Sequence, residues 1–237
     1  MPIQPDVESV LERGYCIEPD AIDHATLALL ARAIARVKTG PEVRTRQNKA
    51  FAIRKLLDVI SEAREFASSA AIRKLVEPVL GRKARVVRGV FFDKTPEANW
   101  KIIWHQDTTI AVKERREVEG YGPWSIKAGV FNVQPPASVL EKMLTVRIHL
   151  DDADENNGAL RVIPGSHLRG IMEQEEIDRW KLKATPVVCS VKRGGAMLMK
   201  PLLLHASSAS INPSHRRVLH LEYANFQLDG RLEWYGS

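Results

Sequence analysis

The run Trp104-His105-Gln106-Asp107 closes an apolar, β-prone stretch, Lys101-Ile102-Ile103-Trp104. In an extended strand successive side chains alternate sides, so His105 and Asp107 point the same way, one pleat apart. A neutral imidazole beside a carboxylate makes two-thirds of a facial metal site. His205, in Leu204-His205-Ala206-Ser207, is the candidate third ligand, with Ser207 on the same side of its strand. Two histidines and one carboxylate leave one face of a metal open, the arrangement of non-haem Fe(II) oxygenases. Arg216 carries a planar guanidinium fork suited to a carboxylate held near such a metal, and Ser207 can donate a further hydrogen bond to it. Arg217, facing the other way, is the alternative clamp, because a one-residue slip flips every side chain of a strand.

These residues need elements to hold them. Residues 6–13 read as a short helix and 14–17 as a brief strand. Asp20 is placed to cap a longer helix over Ile22, Leu27, Leu30, Ile34 and Val37, which Gly40-Pro41 stops. A second helical stretch is expected over 50–66, and a third, capped by Ser68 or Ser69, ends at 78–81. Residues 1–82 are thus expected to be a mostly helical layer on the same single domain (1–237) as the core at 83–237.

From residue 82 the period changes from 3.6 to 2. Strands are expected at 84–92, 101–106, 109–112, 128–133, 144–150, 159–163, 186–191, 196–199, 202–207 and 216–226, with turn chemistry between them and one short helix in 174–181. Short strands without intervening helices predict an antiparallel sandwich or closed roll. The long stretch 113–138 reads as an ordered lid, with Tyr121 and Trp124 as candidate substrate contacts. On the last strand Arg216, Val218, His220 and Glu222 share one face, and Leu219, Leu221 and Tyr223 the other. A helical layer over the apolar face leaves the polar face to line a site, with Arg216 beside His205 on the neighbouring strand. His220 and Glu222 then either line the pocket or form a satisfied core pair.

A rival metal motif, His149-Leu150-Asp151, fails on strand counting: only about three strands separate it from His205, against about six from Asp107. His24 and His215 are expected at the surface. His167 follows a Pro-Gly-Ser turn and reads as structural or as support for a site.

The chain has 237 residues, 44% of them hydrophobic, enough for a substantial core. The net charge of +6 comes from scattered Lys and Arg without a zinc-finger or RNA-binding signature, so a nucleic-acid partner is not expected and an anionic small substrate fits better. Cys16 and Cys189 stand far apart and read as reduced thiols. No secretory signal is visible and no apolar run approaches the roughly 20 residues that span a bilayer, so a soluble, cytoplasmic protein without a membrane partner is expected.

The ordered set of motifs resembles the phytanoyl-CoA dioxygenase family of Fe(II)- and 2-oxoglutarate-dependent oxygenases. It runs from Asp93-Lys94-Thr95-Pro96 through Trp104-His105-Gln106-Asp107, Leu150-Asp151-Asp152 and Asn157-Gly158-Ala159-Leu160 to Ile163-Pro164-Gly165-Ser166-His167. It closes with His205-Ala206-Ser207 and Arg216, eleven residues after the histidine. The resemblance covers roughly 84–223, and Gly14-Tyr15 with the following helix also looks like the family's start. Ala206 departs from the pattern, since many members have glycine there.

The resemblance implies a mainly β protein with a double-stranded β-helix (jelly-roll) core covered by N-terminal helices. It implies Fe(II) on His105, Asp107 and His205, 2-oxoglutarate as cosubstrate reaching towards Arg216 and Ser207, and O2 as oxidant. Halogenating relatives have a small residue at the place of Asp107, so a carboxylate there favours hydroxylation of a small-molecule substrate. The competing class is a jelly-roll binding protein that keeps the metal but not turnover.

Overall fold

The computed structural model describes residues 4–37, 40, 43–46 and 49–236. Helix α1 (Val7–Glu12), capped by the Asp6 carboxylate on the Ser9 amide, leads into strand β1 (Tyr15–Glu18). Helix α2 (His24–Ala35) is capped by Asp23, which accepts from the Thr26 amide, and not by Asp20 as expected. The Ile22 amide donates to the Gly194 carbonyl, which keeps the segment after Asp20 out of the helix. Strands β2 (Val43–Arg46) and β3 (Lys49–Ile53) form a hairpin where the apolar spacing predicts helix from residue 50. Ala52 and Ile53 pair instead with Phe92 and Phe91, a long-range contact that local periodicity does not encode. Helical structure resumes in α3 (Leu56–Val59), α4 (Ser61–Ala67) and α5 (Ala70–Leu80), the last capped by Ser69.

Beyond these lie β4 (Arg85–Lys94), β5 (Ile102–His105), β6 (Ile110–Val112), β7 (Trp124–Lys127) and β8 (Val130–Val133). After α6 (Ala137–Leu140) come β9 (Leu144–His149) and β10 (Leu160–Val162). Helix α7 (Gln174–Lys183) precedes β11 (Val187–Cys189), β12 (Ala196–Met199), β13 (His205–Ser207) and β14 (Arg216–Ala224). The larger sheet has the order β1-β12-β9-β14-β4-β3-β2 and the smaller the order β11-β10-β13-β5, with all pairs antiparallel. Tyr15, Met197 and Met199 of the larger sheet pack against Leu160, Val162 and Cys189 of the smaller, which makes the two a jelly roll.

Alternation sorts the larger sheet cleanly. Its outer face, including Leu219, Leu221, Val146, Ile148 and Leu198, is buried under Leu56, Phe66, Ile72 and Leu75 of the helices. Each such aliphatic side chain contributes roughly 1.5–3 kcal/mol on burial, so this face anchors the helical layer. Direct cross-strand pairs put Arg147 beside His220 and His149 beside Val218 on the inner face, with Arg216 opposite Lys94. Arg216 is therefore not on a strand next to His205. It lies in the opposite sheet and faces the site across the roll.

Residues 113–138, expected as an ordered lid, contain two paired strands. Strands β7 and β8 form a hairpin in a third sheet, β6-β8-β7. Ala128 and Gly129, at φ 53° and 75°, form its two-residue turn, the left-handed pair that matches strand twist. No helix among the described residues is long and apolar enough to cross a membrane.

Candidate metal centre

His105 on β5 lies directly opposite His205 on β13, and their ring centroids are 4.2 Å apart. Asp107 follows β5 and is fixed by its amide, which donates to the Pro201 carbonyl at 3.0 Å. Gln106 points the other way. Its amide nitrogen donates to the Gly170 and Leu202 carbonyls, and its oxygen accepts from the Met172 amide. Both its amide N–H groups and one oxygen lone pair go into holding the loops behind the site, which pins the alternation that turns His105 and Asp107 inward.

Both histidines are oriented by backbone. His105 Nδ1 lies 2.9 Å from the Ile103 carbonyl and His205 Nδ1 2.8 Å from the Leu203 carbonyl. A carbonyl only accepts, so each Nδ1 carries the proton and each Nε2 presents a lone pair. Those Nε2 atoms lie 3.8 and 3.7 Å from the two Asp107 carboxylate oxygens. One ligand atom from each of the three residues falls within 4.8 Å of the others. Burial alone would raise the Asp107 pKa, but His205, His220, His105 and Arg88 outweigh it and hold it at about 2. Burial pushes His205 down to about 4, against the pull of Asp107, so its imidazole is neutral and able to ligate.

His220 also approaches Asp107, with Nε2 at 4.0 Å, and it lies 3.5 Å from Glu222 Oε1. Its role differs. Arg147 Nη1 sits 2.9 Å from His220 Nδ1, and a guanidinium has no lone pair, so Nδ1 accepts. His220 therefore turns an N–H, not a lone pair, towards Asp107 and Glu222.

The opposite wall carries positive charge. Arg216 is 2% exposed and donates through Nη1 to the Gly158 carbonyl at 2.8 Å. Burial, and then Arg147, lower its pKa to about 9. Lys94 is wholly buried and is held down to about 7 by burial, Arg216 and Arg147; it donates to Ser207 Oγ at 2.6 Å. The Nε atoms of Arg147 and Arg216 and the Asp107 Oδ2 atom are buried without hydrogen-bond partners. The small pocket between the walls, about 110 Å³, is lined by His105, Asp107 and His205 on one side and Arg147, Arg216 and His220 on the other.

Ser207 is completely buried, and its hydroxyl donates to the Gly158 carbonyl at 2.7 Å. Its proton is thus engaged behind Arg216 and does not point into the pocket, contrary to the expected direct contact. Arg217 is engaged elsewhere: Nε and Nη2 grip both Asp151 oxygens at 2.8 and 2.7 Å. That pair also breaks up the rival His149–Asp151 motif. His149 is buried inside the roll, its pKa pushed well down by burial and then by Arg147 and Arg216. Tyr121 and Trp124 do not line the pocket. They belong to an apolar cluster with Ile110, Val112 and Val133, because residues 124–127 form a strand that turns Trp124 into that cluster. His167 holds the chain start through its Nε2 contact with the Leu11 carbonyl at 3.0 Å. His215 is half exposed and meets Asp93 at 2.7 Å. Lys94 stands in the motif Asp93–Pro96 without an expected role, and Arg147 escapes the motif reading, although the alternation of Thr145, Arg147 and His149 matches that of the neighbouring polar face.

The family model described as Phytanoyl-CoA dioxygenase (PhyH) matches residues 10–218. The chain belongs to the phytanoyl-CoA dioxygenase family. Phytanoyl-CoA dioxygenase 1 of Oryza sativa subsp. japonica is 24% identical over 190 residues, which cover 74% of this chain. The match spans 59% of the rice protein's length. EctD from S. alaskensis, solved with bound Fe, superposes with a TM-score of 0.71 at 18% identity, over 92% of this chain and 75% of EctD. The same protein with 2-oxoglutarate and 5-hydroxyectoine gives 0.69 at 19% identity, over 92% and 74%. SnoK, the non-heme alpha ketoglutarate dependent carbocyclase from nogalamycin biosynthesis, gives 0.67 at 17% identity, over 94% and 87%. These likenesses establish the jelly-roll fold.

Proposed function

We propose that this member of the family hydroxylates a small-molecule substrate, consuming O2 and 2-oxoglutarate and releasing succinate and CO2. The observation that carries this reading is the convergence of two imidazole Nε2 lone pairs and the Asp107 carboxylate opposite the unpartnered Nε of Arg216. Imidazole and carboxylate donors suit Fe(II), and three protein ligands leave positions open. His105, Asp107 and His205 would hold the iron, which when bound supplies the O2 chemistry that side chains cannot. The Ile103 and Leu203 carbonyls keep both rings in the ligating tautomer.

Arg216 would take the distal carboxylate of 2-oxoglutarate. An orphaned buried N–H costs about 1–3 kcal/mol, a cost that an incoming carboxylate removes. Ser207 acts on that bond indirectly, by sharing the Gly158 carbonyl with Arg216. His220 holds a proton on Nε2 beside Asp107, and Phe92, Trp100, Ile102 and Leu160 give the pocket an apolar wall that limits water. The Asp107 carboxylate fills the place a halide would need, which supports hydroxylation over halogenation.

The test is aerobic, iron-dependent release of succinate in the presence of a metabolite library, with each hit checked for a mass gain of one oxygen. Asp107→Ala should abolish both iron binding and succinate release. Iron binding without succinate release under any substrate would favour a metal-binding jelly roll without turnover.

A further inference from the structure

A second cavity adjoins the metal pocket. It has a volume of about 410 Å³ and is lined by Arg44, Phe51, Arg54, Phe92, Asn99 and Trp100, with two alanines. Phe92 and Trp100 line both cavities, so they form the wall or passage between them. The metal pocket, at about 110 Å³, must also take the cosubstrate and leaves room only for the reacting end of a second molecule. The larger cavity falls in the size range of small-molecule sites.

Its lining has one chemical bias. Phe51 and Trp100 stand 5.7 Å apart at a 58° tilt, and Phe92 meets His220 edge-on at 6.2 Å, so an aromatic seam leads from the centre into the cavity. The polar groups at its end are cationic. The Asn99 amide is engaged on both sides by Ser210, donating to its carbonyl at 2.9 Å and accepting from its amide at 2.7 Å. Arg88, by contrast with Arg44 and Arg54, is met by Glu222 at 3.1 Å. Among the described residues no carboxylate makes an ion pair with Arg44 or Arg54. Burial and the like charges of Arg44 and Arg54's other neighbour Arg88 lower the Arg54 pKa, with no acid opposing them. Two guanidiniums sharing a half-enclosed cavity without a counter-ion among the described residues are stabilised by an anion that both can fork.

We propose that the substrate is an amphipathic oxyanion. Its carboxylate or phosphate is held by Arg44 and Arg54, its apolar body lies along Phe51, Trp100 and Phe92, and its far end enters the metal pocket. The last clause rests on the dioxygenase reading; occupancy of the cavity does not.

The two are separated by measuring binding to the metal-free protein calorimetrically, with 4-phenylbutyrate, 4-phenylbutyl phosphate and the neutral 4-phenylbutanamide as probes. One or both anions should bind at least about tenfold more tightly than the amide, roughly the 1.4 kcal/mol expected of one good charged contact. Which anion wins distinguishes a carboxylate from a phosphate source. The preference should vanish in Arg44→Gln/Arg54→Gln, return in part in Arg44→Lys/Arg54→Lys, and persist in Arg216→Ala, with unchanged circular dichroism as the folding control. Equal binding of anion and amide, no binding of any probe at millimolar concentration, or loss of the preference in Arg216→Ala instead would each overturn the proposal. Iron-dependent succinate release, followed separately, reports on the reaction whatever the probes do.

Discussion

Arg216 and Arg217 are adjacent in sequence and opposite in fate. Arg216 is buried in the roll with Nε unpartnered, while Arg217 grips Asp151 from the other face of β14. Arg216→Ala should therefore raise the KM for 2-oxoglutarate by tenfold or more, on the order of one charged hydrogen bond, with little change in melting temperature. Arg217→Ala should leave that KM alone and lower the melting temperature by about 2–4 °C for each 1 kcal/mol lost. Equal KM effects would refute the assignment.

Lys94 should give 2-oxoglutarate binding a pH dependence. A dianion bound at Arg216 favours the charged ammonium and raises its pKa from about 7, so binding takes up a proton. Affinity for 2-oxoglutarate should be level below pH 7 and fall as pH rises towards 9, where Arg216 begins to titrate as well. Calorimetry across that range, repeated on Lys94→Met, should find the slope gone up to about pH 9 in the variant. The meeting of His105, Asp107 and His205 is legible in the sequence because a period of two fixes which side chains share a face. Lys94 and Arg147 are not, because a lone cation in a strand has no local mark that tells a buried inner face from a wet one.

The short turn from Asp154 to Gly158 shows how an element with no catalytic group still shapes the site. Asp154 caps it on the amides of Asn156 and Asn157, and Asn157 returns a side-chain bond to the Asp154 amide. Gly158 closes it at φ 78°, and its carbonyl receives both Arg216 and Ser207. A Cβ there would lie 2.7 Å from the Ser208 carbonyl oxygen and 3.0 Å from Lys94 Nζ. Gly158→Ala should cost about 1–3 kcal/mol in denaturant unfolding, from backbone strain and crowding together, and should weaken 2-oxoglutarate binding. Unaltered cosubstrate affinity in a destabilised variant would show that the carbonyl does not position Arg216.

At this scale the sequence is clearest where turn chemistry is explicit. The turn signals at 151–158 and 164–166 bound strands close to their observed ends. Residues 49–53 mislead because Ile53, Leu56, Leu57 and Ile60 keep a helical spacing across a strand–helix boundary. Strand β7 is hidden because its hairpin turn is Ala128-Gly129, whose first residue is a poor marker for a left-handed position.

Across the whole molecule the two halves of the chemistry stand on different sheets. The three candidate ligands lie on or beside β5 and β13, whereas Lys94, Arg147 and Arg216 lie on β4, β9 and β14. On the proposed reading a metal alone would tie together strands that are already paired, while 2-oxoglutarate would span the gap between the sheets. With Mn(II) as a redox-inert substitute, metal and 2-oxoglutarate together should raise the melting temperature by more than the sum of either alone. With each ligand at about 100 times its Kd the combined gain should be at least roughly 11–22 °C. Additive shifts would mean that the ligand does not bridge the sheets. The jelly roll itself is legible from the run of short strands, but which sheet each strand joins depends on pairings made across most of the chain's length. The same division bears on how such a protein can change over generations. Substitutions on the smaller sheet can retune what the metal does, and substitutions on the larger can retune which acid accompanies it. The two sets stay coupled where Lys94 donates to Ser207 and where the Gly158 carbonyl receives both Ser207 and Arg216.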